Sequence, residues 1–277
     1  MRPVMLVAAL AVCLGVAGCT GNEKMAANAP SEMVLDCGNG VKMTLVYIPA
    51  GEFLMGSPAA EKDRDDDEGP QHRVRITRGF HMAVHEVTHE QYEAVMGENP
   101  SHFKGANLPV EQVSWNDAVE FCKRLSAKWG KTVRLPTEAE WEYACRAGTT
   151  TPFYFGETIS TNQANYDGDF VYGSGQKGED RQKTMPVGSF PPNAFGLHDM
   201  HGNVWEWCGD WYDSGYYRKS PPSDPQGPET GESRVIRSGS WSGSPNFCRS
   251  ADRAWLDPSL PYLITGFRVM APLPRAK

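Results

Sequence analysis

The chain has 277 residues, with 27 lysines and arginines against 34 aspartates and glutamates, a formal charge of −7. Its 28 glycines and 21 prolines point to many tight turns, and its 8 tryptophans, 10 tyrosines and 11 phenylalanines can fill a core held by few regular elements. This balance excludes a collagen, a coiled coil, a multi-span membrane protein and a long disordered chain, and the acidic excess argues against a nucleic-acid partner, which needs a basic face.

Arg2 followed by an apolar run from Val4 to Val16 reads as a targeting segment, too short to span a bilayer as a mature helix. The run ends in Val16-Ala17-Gly18-Cys19, which resembles a bacterial lipoprotein signal cut before a lipidated Cys19; an ordinary secretory signal cut nearby is the alternative. On the lipoprotein reading, residues 1–18 are removed and the protein is exported and tied to the membrane by its N-terminal lipid. Thr20, rather than an aspartate, follows the cysteine, which implies the outer membrane in a Gram-negative cell. Residues 19–34 are small and polar and are expected to form a flexible tether. The body is expected over residues 35–272, with a short tail at 273–277. Five cysteines remain in the body, Cys37, Cys122, Cys145, Cys208 and Cys248, so at least one thiol is left unpaired within the chain.

Strands are expected at residues 43–48, 73–77, 80–87, 234–237 and 267–270. Three helix starts carry a capping box, in which a side-chain oxygen satisfies an orphan N–H of the first turn: Thr88 with Gln91, Ser114 with Asp117, and Thr137 with Glu140. The first helix should reach about Met96 and the second about Trp129, burying Val119, Cys122 and Leu125, or alternatively Ala118, Phe121 and Leu125. The third should turn Trp141 and Ala144 inward. Beyond Arg146 the composition predicts irregular loops around a few strands. Such backbone needs metals, disulfides or dense side-chain hydrogen bonding to satisfy it.

His85-Glu86-Val87-Thr88-His89 matches H-E-x-x-H, but Thr88 as an N-cap puts the two histidines across a strand–helix junction, not on one helical face. The acidic run at residues 61–68 lacks calcium-loop spacing and is expected to be a solvated loop. Asp199 and Glu206 flank a turn at Gly202, an arrangement of carboxylates and inward carbonyls that suits calcium; a plain turn into a buried strand is the alternative. Nucleotide-binding signatures are absent from the sequence.

Taken in order, Ile48-Pro49-Ala50-Gly51-Glu52-Phe53, Glu86-Val87-Thr88, Pro109-Val110-Glu111-Gln112-Val113-Ser114-Trp115, Arg134-Leu135-Pro136-Thr137-Glu138-Ala139-Glu140-Trp141-Glu142-Tyr143-Ala144, Gly202-Asn203-Val204-Trp205-Glu206-Trp207, Arg237-Ser238-Gly239-Ser240-Trp241 and Gly266-Phe267-Arg268-Val269 resemble the formylglycine-generating enzyme (sulfatase-modifying factor) family. The resemblance implies an α/β (α+β) C-type-lectin-like fold, loop-rich and low in regular secondary structure. Active members oxidise a sulfatase cysteine to formylglycine with O₂ and a copper ion held by two thiolates. Here position 243, where the first thiolate is expected, is glycine, and Cys248 alone lies nearby, so copper is not expected. The resemblance implies a Cys145–Cys248 disulfide, a cleft lined by Ser240 and Trp205, and a structural calcium held by Asp199, Gly202, Val204 and Glu206. It further implies a second calcium near Asn165 and Tyr166, with Asp180 as its downstream ligand. The expected function is a cell-envelope binding or assembly module with an exported protein or peptide partner. The alternative is an oxidoreductase of the same fold acting on such a partner, including sulfatase cysteine oxidation.

Overall fold

The computed structural model, which describes residues 31–273, forms strand β1 (Glu32–Gly38), in which Leu35 and Cys37 are buried while Val34 and Asp36, before and between them, face outward. Leu35 pairs with Met43 on the antiparallel β2 (Val41–Ile48), and both are buried. The expected tether therefore gives way to ordered sheet by Glu32. The targeting segment, Cys19 and residues 274–277 lie outside the described residues.

The first sheet runs β1–β2–β5–β10, with β5 at Phe80–Ala83 and β10 at Met270–Pro272. β3 (Gly51–Met55) and β4 (His72–Ile76) form a hairpin. The third sheet runs β8–β7–β6–β9, where β6 is Trp205–Trp211, β7 Arg234–Arg237, β8 Ala254–Leu256 and β9 Thr265–Gly266. Its β6–β9 pair is parallel and sets Glu206 opposite Gly266.

All three capping boxes form. They open α1 (His89–Met96), α2 (Trp115–Trp129) and α3 (Glu138–Arg146). Helix α2 buries Ala118, Phe121, Cys122 and Leu125 against the first sheet, close to the union of the two expected stripes. Helix α3 buries Trp141, Ala144 and Cys145 in a second core with Ile48, Phe80, Cys208 and Val235. Residues 147–204 hold no helix or extended strand, as the composition predicts.

Buried arginines take up the work of fixing this irregular half. Glu138 and Glu142 sit one turn apart on α3. Arg237 reaches Glu142 at 2.6 Å, Arg146 reaches Glu142 at 2.9 Å, and Arg253 reaches Glu138 at 2.6 Å. The acidic run is not the solvated loop expected: Glu61 and Glu68 both grip the buried Arg249, at 2.8 and 2.6 Å. A guanidinium offers five donors in a fixed fork, so each arginine can satisfy loop carbonyls as well as its carboxylate. Arg237 does so, donating to Ala251 and Ser250 carbonyls at 3.0 and 2.7 Å.

Candidate functional site

The β7 strand ends at Arg237, and the chain turns through Ser238 and Gly239, both at positive φ. Gly239 is required there: a Cβ would lie 2.6 Å from Cys248 Sγ. After this turn Ser240 is buried, its hydroxyl 3.4 Å from that of Ser242. A Cβ placed at Gly243 would meet only ordinary contacts, 3.6 Å from the Phe247 ring and 3.8 Å from Ser240 Oγ. Phe247 is 40% exposed and leans on Trp205, ring centroids 6.4 Å apart. Gly243 thus stands beside Ser240 and Phe247, and Phe247 beside Trp205, while Ser240 and Trp205 are themselves buried. Trp241 stands edge-on to Phe103 at 5.5 Å, and Phe103 opens onto a cavity of about 540 Å³ lined by Leu108, Met185 and Pro186, with Lys104 and Lys183 beside them.

The donor set does not fit a two-thiolate copper ion. The Cys248 thiol lies beneath Gly239, in an apolar cluster with Phe153, Ile159, Ala164, Tyr166 and Tyr172. Burial pushes that thiol well above its usual range, and Asp252 adds to the shift.

The Cys145–Cys248 disulfide is also corrected: both are free, as are Cys37, Cys122 and Cys208. Cys145 instead donates to Ser250 Oγ at 3.7 Å and to the Met200 carbonyl at 3.6 Å. His201 packs beside it, 3.9 Å from the sulfur, and bonds the Cys248 carbonyl at 2.7 Å. The residue facing Cys145 is thus two positions after the one expected. Burial holds His201 neutral, its pKa near 3, and pushes the Cys145 thiol up to about 12.

The segments expected to bind calcium do meet. Asn165 and Gly202 form a parallel bridge, and Asn203 N–H donates to the Asn165 carbonyl at 2.8 Å. Gly202 has φ +84, and a Cβ there would lie 2.3 Å from the Asn165 carbonyl oxygen. The first donor set fits calcium poorly. Glu206 Oε1 accepts from Arg268 at 2.7 Å, and Oε2 accepts from Arg268 at 2.7 Å and from the Trp141 indole at 2.8 Å. The Gly202 carbonyl accepts from the Ser238 hydroxyl at 3.0 Å. Asp199 Oδ2 accepts from Gly188 N–H at 2.7 Å, leaving Oδ1 buried without a hydrogen-bond partner. The second segment fits better: Asn165 Oδ1 is buried without a partner, and carboxylate oxygens of Asp167, Asp169 and Asp180 come within 4.8 Å of one another. Tyr166 contributes its ring to the apolar cluster around Cys248.

Three residues of this centre stand in the sequence motifs without a role at this turn being expected of them. Glu86 accepts from Asn203 Nδ2 at 3.0 Å, and Asn203 Oδ1 in turn accepts from Asn165 Nδ2 at 3.2 Å. Burial, then the charge of Asp199, raises the Glu86 carboxyl well above the usual range, while burial lifts Asp199 to about 6. Arg268 is the third. A lone arginine inside the apolar run Phe267-Arg268-Val269-Met270 was the available signal. The H-E-x-x-H histidines part as expected: His89 bonds the Pro109 carbonyl at 3.1 Å, while His85 packs on His198.

Residues 36–273 match the sulfatase-modifying factor enzyme 1-like domain. The formylglycine-generating enzyme of Streptomyces coelicolor is 34% identical over 260 residues, covering 73% of this chain and 80% of that one. A protein named chaperone protein LppX, from Paenibacillus barcinonensis, is 33% identical over 211 residues, covering 60% of this chain and 71% of its own. The solved structure of PvdO from Pseudomonas aeruginosa superposes with a TM-score of 0.75 at 34% identity, covering 88% of this chain and 99% of that one. Motif order, fold and these likenesses agree, and the chain belongs to the formylglycine-generating enzyme (sulfatase-modifying factor) family.

Proposed function

We propose that this family member is an exported, Cys19-lipidated protein of the cell envelope that binds or assembles a protein or peptide partner and does not oxidise cysteine through copper. One observation carries the reading: glycine stands at position 243, and the single nearby thiol, Cys248, is packed under Gly239 in an apolar cluster. A soft Cu(I) ion held by thiolates needs two accessible sulfurs that can lose their protons. Here one is missing, and burial keeps the other protonated.

An exposed ring and a neighbouring cavity support binding. Phe247 presents an exposed ring beside Trp205, and the apolar cavity next to Phe103 has room for a side chain or short peptide. The likeness to a protein named as a chaperone supports an assembly role. A structural calcium ion is proposed only at the second segment, with the grouped Asp167, Asp169 and Asp180 carboxylates as donors and the unpartnered Asn165 amide oxygen as the donor that the resemblance adds.

The test supplies the exported protein with copper, O₂ and a cysteine-containing sulfatase-type peptide, and follows the peptide by mass spectrometry. The peptide should return unchanged. In parallel, a photo-crosslinker at position 247 in the intact envelope should give one discrete adduct. Formylglycine formation that scales with enzyme would overturn the proposal.

A further inference from the structure

A buried carboxylate must be neutralised by a proton, an arginine or lysine, or a metal. Glu206, the second residue of β6, is fully buried, and so is Arg268. The parallel pairing of β6 with β9 sets Glu206 opposite Gly266, and two residues later the chain delivers the Arg268 guanidinium to the carboxylate. The contact is bidentate, Nη2 to Oε1 and Nε to Oε2, both at 2.7 Å. The rest of the fork is also used: Nη2 donates to the His198 carbonyl at 2.9 Å, and Nη1 to the Ala83 carbonyl at 3.3 Å. Arg268 thereby ties the end of β5, the segment before the Gly202 turn and the start of β6 to one point.

We propose that the Arg268 guanidinium is the resident cation of the Asp199–Glu206 turn, standing where the family resemblance calls for calcium, so that this turn is held without metal. Calcium takes about 6–8 oxygen ligands. Three of the roughly four lone-pair sites of Glu206 are already taken by Arg268 and Trp141, and the Gly202 carbonyl already accepts from Ser238, so an entering ion would have to share both groups and bring its charge beside the buried Arg268 guanidinium. Asp199 Oδ1 is the one carboxylate oxygen of the expected ligand set that has no hydrogen-bond partner. The positive charge that neutralises Glu206 is thus already in place, in a side-on arginine–carboxylate pair.

The experiment uses the mature protein and two readouts. Calcium stoichiometry by equilibrium dialysis is compared between the parent and Glu206→Gln; the two should bind the same number of ions, including any held by the Asn165–Asp180 segment. Loss of one equivalent in Glu206→Gln would overturn the proposal. Thermal unfolding in excess chelator is then compared between the parent and Arg268→Gln, with Arg268→Lys as the variant that keeps the charge. Arg268→Gln should melt on the order of 10 °C lower, and Arg268→Lys should fall in between, because an ammonium cannot make the side-on pair. An Arg268→Gln protein that melts with the parent in chelator would refute the assignment.

Discussion

Cys145 on α3 and Ser250 in the segment after the Gly239 turn face each other, sulfur to hydroxyl, at 3.7 Å. Replacing that hydroxyl with a thiol would place two sulfurs across a gap that a small rotation closes. Ser250→Cys is therefore expected to form a disulfide with Cys145 when the protein is exported to an oxidising compartment. It closes a loop of 105 residues. The chain-entropy limit for such a loop is about 4.7 kcal/mol, so melting should rise by several degrees and revert on reduction. Alkylation of the unreduced parent after unfolding in denaturant should label Cys145 and Cys248 separately, and recovery of a Cys145–Cys248 cross-linked peptide would refute the assignment of both as free thiols.

Glu142 is fully buried between Arg237 and Arg146 and also accepts from Gly56 N–H at 2.9 Å. Glu142→Ala leaves two guanidinium groups without their carboxylate, which should cost about 3–5 kcal/mol in urea unfolding. Glu120→Ala, which breaks an exposed pair with Arg124 on α2, should leave the midpoint unchanged. Equal effects at the two positions would contradict the view that buried arginines brace the irregular half.

Gly202 and Gly243 should respond oppositely to alanine. At Gly202 the new Cβ would sit 2.3 Å from a backbone carbonyl at φ +84, and a loss of at least about 2 kcal/mol is expected. At Gly243 the nearest atom would be 3.6 Å away, and stability should be nearly unchanged. Denaturant midpoints of the two variants check the pair.

Asp210 gives a pH signature. Burial, then the charge of Glu138, lifts its carboxyl to about 8, while the Glu138 N–H bond at 2.8 Å works the other way. The folded state therefore holds a proton that the unfolded chain releases near pH 4. The corresponding stability is fully present below about pH 4 and is lost as pH rises toward 8, at up to about 1.4 kcal/mol per pH unit. Asp210→Asn should flatten stability against pH across that window. An unchanged slope would show that Asp210 does not carry the proton.

Local signals in the chain were read correctly wherever one residue's chemistry decides a backbone choice. Thr88, Ser114 and Thr137 each cap a helix because an orphan N–H lies within reach of a short oxygen side chain, and that needs no tertiary context. The family motifs carried the fold. What eluded the sequence was pairing at long range. Cys145 meets Ser250 and not Cys248 because the segment after the Gly239 turn buries Cys248 under Gly239, and side-chain direction there depends on the turn. The acidic run was read as solvated because nothing local says that Glu61 and Glu68 close on an arginine more than 180 residues away. Glu206 was assigned to calcium for the same reason, since Arg268 reaches it only through the β6–β9 pairing.

With glycine at position 243 and Cys248 buried under Gly239, a two-thiolate copper ion is not expected beside Ser240. The most direct measurement is a Cu(I) titration of the reduced mature protein against a competing chelator, with Cys248→Ser alongside. Both proteins are expected to bind copper equally weakly. One tightly held equivalent in the parent that disappears in Cys248→Ser would contradict that expectation.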